Sequence, residues 1–301
     1  MAIRFEYDIH KDIQSVSQKY LLNMGARINH KKCYLYQFLL INYKKINSTP
    51  RKISFSSKFK IPQKHIHGFI NLLLKVQTGG NINPYLSKSL LKGGVEDQFF
   101  NDFQIYHLHL GLQFNNSFAK RTGDLAFAFI TLNEIFFIDI LHHDEDLIWY
   151  RQELLRTIHH ERPELIQNFR IDNVIPTLTI NNEDRKKLRS ARINTPIIIE
   201  DCCYMSPGMG ITSAGTSAEV SYQQNNVENS INKDLIYLKD RIKNQLPPDI
   251  KDIFQINLTD FHGSLYQPNS YFDIQAGGKN IAKAAFILEK DNTRNFRLTS
   301  V

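Results

Sequence analysis

Gln104–Asp144, QIYHLHLGLQFNNSFAKRTGDLAFAFITLNEIFFIDILHHD, decides how the rest of the chain is organised. Three apolar runs lie in it, Ile105–Leu112, Asp124–Thr131 and Ile135–Leu141. A polar loop separates the first two and a tight Asn133-Glu134 turn the last two, so the pattern predicts an antiparallel meander. The runs are nearly continuously apolar, which predicts cover on both faces of the sheet. The polar residues able to do chemistry concentrate in the same stretch. His107 and His109 are two apart, so on a strand they share a face. Arg121 and Thr122 precede the second strand, and His142, His143 and Asp144 close the third.

The flanking segments read as mixed α and β structure. Asp8 is a predicted N-cap for a helix to Met24 carrying Ile9, Ile13, Val16, Tyr20 and Leu21 at helical spacing. Cys33–Lys44 (CYLYQFLLINYK) has no helical period and predicts a strand, as does the alternating Arg51–Lys60 (RKISFSSKFK). A helix is expected from Pro62 to Gln77, another from Glu145 to His160 capped by Asp144, and a short one from Pro163 to Phe169. A polar helix follows at Asn182–Ala191, then a strand at Thr195–Tyr204 and a long helix from Ser217 to Gln245 ended by Pro247-Pro248. Strands are expected at 254–261, 271–275 and 284–288, with fraying from Asp291. The expected fold class is α+β: a basic N-terminal α/β region (1–95), a central sheet with helices (96–194), and a C-terminal α+β region with the long helix (195–301).

Charge is distributed unevenly along the 301 residues. The net charge is +7, but no Asp or Glu occurs between Ile13 and Val95, where 14 Lys and Arg do. A surface selected for solubility mixes both signs, whereas an acid-free stretch makes a positive field that attracts phosphates. Lys44, Lys45, Arg51, Lys52, Lys58, Lys60 and Lys64 are the candidate nucleic-acid contacts. Lysines on an edge strand also discourage aggregation, so that role stands beside the first. Composition is that of an ordinary globular protein. No apolar run approaches the ~20 residues of a membrane span, and the start MAIRFEYDIHKD carries no export signal. Cys33, Cys202 and Cys203 have neither CxxC spacing nor an even count, which predicts reduced thiols in a cytoplasmic protein.

The candidate chemistry is acid–base catalysis. Two same-facing histidines with an arginine nearby suit RNA cleavage without a metal or other cofactor. One His removes the 2′-OH proton, a second protonates the leaving 5′ oxygen, and Arg121 stabilises the phosphorane. His107 and His109 are the candidate pair, with His142 or His143 in reserve. The same residues also suit a metal, with His107, His109 and Asp139 (or His142, Asp144) as ligands in a nuclease or hydrolase. They equally suit a sheet core with hydrogen-bonded rings.

Arg121–His143, RTGDLAFAFITLNEIFFIDILHH, resembles the RelE-like messenger-RNA-cleaving toxins of the barnase–EndoU–RelE group. In those, a basic strand, a tight turn and a strand ending near catalytic residues follow one another. The resemblance, within residues 104–143, implies a ribonuclease acting as an intracellular toxin or phage-defence effector, with RNA as substrate and an antitoxin or other protein as partner.

Three further features carry alternatives. Gly210–Ser217 has P-loop spacing, but Thr216 replaces the lysine that reaches the nucleotide phosphates. It is therefore read as a backbone phosphate cradle or as a flexible loop with Ser217 as helix cap. His65 and His67 form an HxH that does not share a helix face, and is expected to be solvated. Phe261, His262, Tyr266 and Tyr271 can stack bases or pack a sheet. If the chain is a binding module rather than an enzyme, the acid-free stretch carries the affinity. Contact of that stretch with phosphates predicts that log Kd for RNA rises steeply with log salt concentration in filter binding; a flat dependence rejects it.

Overall fold

The computed structural model describes residues 3–115, 117–174, 180–245, 253–264 and 266–300. The Pro247-Pro248 helix stop lies outside these. The helices are α1 (Ile9–Asn23), α2 (Tyr34–Lys44), α3 (Ile66–Thr78), α4 (Gln98–Phe103), α5 (Glu153–Glu161), α6 (Asn182–Ser190) and α7 (Ala218–Gln245). The strands are β1 (Arg4–Glu6), β2 (Lys52–Phe55), β3 (Ile105–His109), β4 (Phe114–Asn115), β5 (Phe118–Ala119), β6 (Asp124–Ile130) and β7 (Glu134–His142). Then come β8 (Arg170–Ile171), β9 (Ile197–Ile199), β10 (Cys202–Tyr204), β11 (Ile253–Gly263), β12 (Pro268–Ala276), β13 (Lys279–Leu288) and β14 (Arg294–Ser300). The fold is mixed α+β, as expected.

The chain divides into two compact units, each assembled from segments distant in sequence, with one switch between them at Gly94/Val95 and another at Glu219/Val220. The first comprises Met1–Tyr43, Leu91–Gly94 and Val220–Val301. Its sheet has the order β1-β11-β12-β13-β14, antiparallel except for the parallel β1–β11 pair. Ile13 and Val16 of α1, Leu35 and Leu39 of α2, and Val227, Ile231 and Leu238 of α7 pack on Phe254, Ile256, Leu258 and Phe272 of that sheet. The N-terminal and C-terminal segments therefore share one core. Asp8 caps α1 as read from the sequence, its side chain accepting from Lys11 N.

Two expectations fail in this unit. Tyr34–Lys44 is a helix, not a strand. Leu35, Tyr36, Leu39, Leu40 and Ile41 are all buried, so apolar side chains wrap too much of the helix for a 3.6-residue period to show. Gln37 is buried among them because its amide bonds Asn29 O, Lys32 O and Asn29 N of the preceding loop. Residues 294–300 are not frayed, since they pair along β13 from Leu288↔Arg294 to Ala282↔Ser300.

The second unit comprises Lys44–Leu90 and Val95–Glu219. Its main sheet has the order β2-β7-β6-β3, and β3, β6 and β7 form the expected antiparallel meander, with β2 added in parallel to β7. Both faces are covered. On one, Phe69 of α3 joins the rings of Phe55, Phe59 and Phe137. Gly68 lets α3 come this close: a Cβ there would stand 2.0 Å from Leu110 O. On the other, Ile105, Leu125, Phe127 and Phe136 pack with Phe99 and Phe103 of α4, Leu154, Leu155 and Ile158 of α5, and Ile197 and Ile199 of β9.

Three local expectations are corrected here. Asp144 caps no helix. Leu147 adopts a left-handed φ of 54°, a single turn follows at Ile148–Tyr150, and only then does α5 begin. Residues 163–169 form two short turns rather than a helix. Thr195–Tyr204 is a hairpin, β9 and β10, folded at Glu200-Asp201.

The start of β7 is tied to the end of α5. Arg162 donates from Nη1 and Nη2 to Glu134 Oε1 and Oε2 at 2.6 and 2.8 Å, and Ser54 Oγ donates to Oε1 at 2.6 Å. The Arg162 hydrogen bonds, with that from Ser54, hold the Glu134 carboxyl down to about 2. Its unfolded value is about 4.3, so the stability it contributes is present above that value and lost as pH falls through about 2. Glu134→Gln is expected to lower stability at neutral pH by about 2–3 kcal/mol. In urea melts the gap to the parent protein should close as pH falls toward about 2; a constant gap would mean the carboxylate charge is not what stabilises.

Candidate active site

The meander carries its polar residues to one end of the second unit. His107 and His109 face the same way from β3, opposite Phe127 and Leu125 of β6. Their face is the one covered by α4 and α5, and beyond Phe127 the cover gives way to a cavity of about 590 Å³. His107, His109, Arg121 and His143 all line it, together with Asp97, Trp149, Tyr150 and Arg189.

Local structure explains each placement. Asp97 caps α4 through Phe100 N at 3.0 Å, and its other oxygen stands 3.9 Å from His107 Nδ1. Thr122 fastens the segment after Arg121 to β3: its hydroxyl donates to Asp124 O at 2.6 Å and accepts from Leu110 N at 3.1 Å, while its N–H donates to His109 Nδ1 at 3.4 Å. His143 follows β7, held by its N–H to Gly123 O at 2.6 Å, with Nδ1 3.2 Å from Asp144 Oδ1. The left-handed Leu147 turns the chain so that Trp149 comes edge-on to His107 and His143, with ring centroids 5.1 and 5.5 Å away. Arg189 of α6 holds that segment: Nη1 donates to Trp149 O at 2.7 Å, Nε donates to Asp102 at 2.9 Å, and the guanidinium lies 4.4 Å from the centre of the Tyr150 ring.

Burial dominates the electrostatics. It pushes His109 down to about 4, with repulsion from His107, Arg121 and His143 adding to it. His107 is lowered for the same leading reason; Asp97 opposes the shift, and His143 and Lys44 reinforce it. His109 is therefore neutral at neutral pH, able to accept a proton. Arg121 is exposed at the mouth and no hydrogen bond or ion pair engages its guanidinium among the described residues.

Other candidates are placed elsewhere. His142 pairs with Asp124 across the sheet, on the face opposite His109, and its ring lies against Gly123 outside the cavity. Lys44 is buried, donates to Val95 O at 2.8 Å and lies behind His107. Arg51 is buried too, donating to Thr131 O, Asn47 O and Thr49 O. Lys45 is half-buried and lowered by burial. Lys52 and Lys60 are exposed, whereas Lys58 and Lys64 pair with Asp139 at 3.4 Å and Asp124 at 2.7 Å. His65 is not solvated: its Nε2 lies 2.8 Å from Asp124 Oδ2.

The trio His107, His109 and Asp139 is not assembled. Asp139 lies two strands from His107 with Phe127 between, and meets Lys58 instead. In the Gly210–Ser217 loop, the N–H groups of Thr212, Gly215 and Thr216 donate to Thr216 O, Thr212 O and Thr212 Oγ1 within the loop, which leaves them unavailable to a phosphate. Phe261 points into the core of the first unit, while the His262 and Tyr271 rings meet at a tilt with centroids 5.1 Å apart. Sequence reasoning missed Asp97, Trp149, Tyr150 and Arg189. The signals available for two of them were an Asp at helix-cap spacing and the chain's single tryptophan.

Compared with known protein families, characterised proteins and solved structures, the chain matches none. The cavity's chemistry therefore rests on its own geometry. The His109 imidazole should titrate with a midpoint near 4 by NMR of its ring protons, and Arg121→Ala should raise that midpoint by removing a like charge. A midpoint at the ordinary histidine value of about 6.5 would show that the ring is hydrated rather than buried.

Proposed function

We propose that the cavity cleaves RNA by metal-independent acid–base catalysis. What supports this is one observation: His107, His109, Arg121 and His143, far apart in type of element and brought from three segments, line a single cavity. His109, neutral at working pH, is the base: it takes the 2′-OH proton on Nδ1, the ring nitrogen that carries no hydrogen, with the 2′-OH displacing the long Thr122 N–H contact there. The freed 2′ oxygen attacks phosphorus and the bond to the 5′ oxygen breaks, leaving a 2′,3′-cyclic phosphate. His143, at the rim with Asp144 beside it, is the acid that protonates the departing oxygen. Arg121 neutralises charge on the phosphorane. His107, with Asp97 at its Nδ1, positions the phosphate by hydrogen bonding. The resemblance of residues 104–143 to RelE-like toxins favours the same reaction, and with it an intracellular toxin or phage-defence role.

Among the described residues no helix is long and apolar enough to cross a membrane, so a membrane-spanning partner role is not part of the reading. The phosphate attraction inferred from the acid-free stretch now falls on fewer groups, because Lys44 and Arg51 are held inside.

The test is cleavage of RNA and of DNA, with and without EDTA. RNA cleavage that survives EDTA is expected, with His109→Ala and Arg121→Ala each slowing it by about 10²-fold or more and His142→Ala leaving it near the parent rate. As pH falls through about 4, protonation of His109 should remove the base and activity should drop. Loss of cleavage with EDTA, or equal effects of His142→Ala and His109→Ala, would overturn the reading. Binding without cleavage would leave a nucleic-acid-binding module.

A further inference from the structure

Away from the cavity, the last turn of α5 carries two adjacent histidines beside the β9–β10 turn. One ligand atom from each of His159, His160 and Glu200 lies within 4.8 Å of the others. None of the three lines the cavity. We propose that these residues form a binding site for a divalent transition-metal ion of the zinc type.

Three observations carry it. The donor set is two imidazoles and one carboxylate, which suits zinc and its neighbours, whereas magnesium and calcium prefer oxygen alone. The two elements that supply the donors are fixed relative to each other, since Ile158 of α5 and Ile197 and Ile199 of β9 pack in one core. The ligands are also oriented from behind and by the backbone. Tyr204 OH lies 2.7 Å from His159 Nδ1, the kind of outer contact that sets the ring of a metal-bound histidine. Glu200 sits at a left-handed φ of 53° in the turn, a conformation that favours glycine or asparagine, and its Oε1 is 3.1 Å from His160 Nε2.

A zinc ion would replace the direct contact between His160 and Glu200 and draw in His159 at ordinary metal–ligand lengths of about 2.0–2.2 Å. Three protein donors leave a fourth position for water. Bound there, the ion clips the end of α5 to the hairpin turn, so it adds stability to the folded state alone.

The experiment uses untagged full-length protein stripped with chelator and then dialysed free of it. Zinc is titrated by calorimetry, cobalt(II) is followed by its tetrahedral d–d absorption, and Tm is recorded with and without zinc. One zinc per chain, a tetrahedral cobalt spectrum and a raised Tm are expected. His160→Ala and Glu200→Gln, both at exposed positions that leave the core untouched, should each weaken zinc binding by about tenfold or more. His109→Ala should leave it unchanged. No zinc uptake, uptake unaffected by both variants, or uptake abolished by His109→Ala overturns the proposal.

Discussion

Burial of the central meander on both faces is the constraint from which the second unit follows. From Asp124 to Phe129 every residue of β6 is buried. Each such Phe or Leu contributes about 1.5–3 kcal/mol when removed from water, which holds α3 on one side and α4 and α5 on the other. A strand covered this way has no place for a charged group in its middle. Polar residues must gather where the cover ends, and His107, His109 and His143 do so. The agent that builds the core is also the one that depresses His107 and His109. The fold and the acid–base properties of the cavity thus share a cause.

The same economy of solvation explains what became of the acid-free stretch. A long basic run predicts a positive surface, yet two of its residues are used as internal clamps. Lys44 meets the carbonyl of Val95 and Arg51 meets three carbonyls. Backbone oxygens at loop junctions must find donors when water is excluded, and long basic side chains can reach them. Lys58 and Lys64 instead meet carboxylates of the meander. Those carboxylates lie more than fifty residues further on in sequence, so local charge pattern cannot reveal the pairing.

This contrast marks what was legible. Helices with one apolar stripe (α1, α3), the polar α6, the long α7 and the alternating or continuous strands of the meander all showed their period, because each buries a definite face. Tyr34–Lys44 hid its helical nature by being buried nearly all round. The segment after Asp144 looked like one continuous helix because an αL residue such as Leu147 leaves no trace in hydrophobic spacing. The HxH pair and Arg121 were readable from strand alternation and loop position. Asp97 left only the signal of its helix-cap spacing, and Arg189 left none, since its place depends on a buried ion pair with Asp102, distant in sequence. Division into two units was hidden too, because α1 and α2 pack with strands more than two hundred residues away in sequence.

Trp149 has a consequence for how the molecule can be observed. It is the chain's single tryptophan, it stands in the cavity wall against His107 and His143, and it belongs to the second unit. Its emission is therefore a private optical channel to that wall. An occupant of the cavity or a change in charge on either imidazole alters the surroundings of the indole. The first unit has no indole of its own. Tryptophan emission thus reports on the second unit without a contribution from the first.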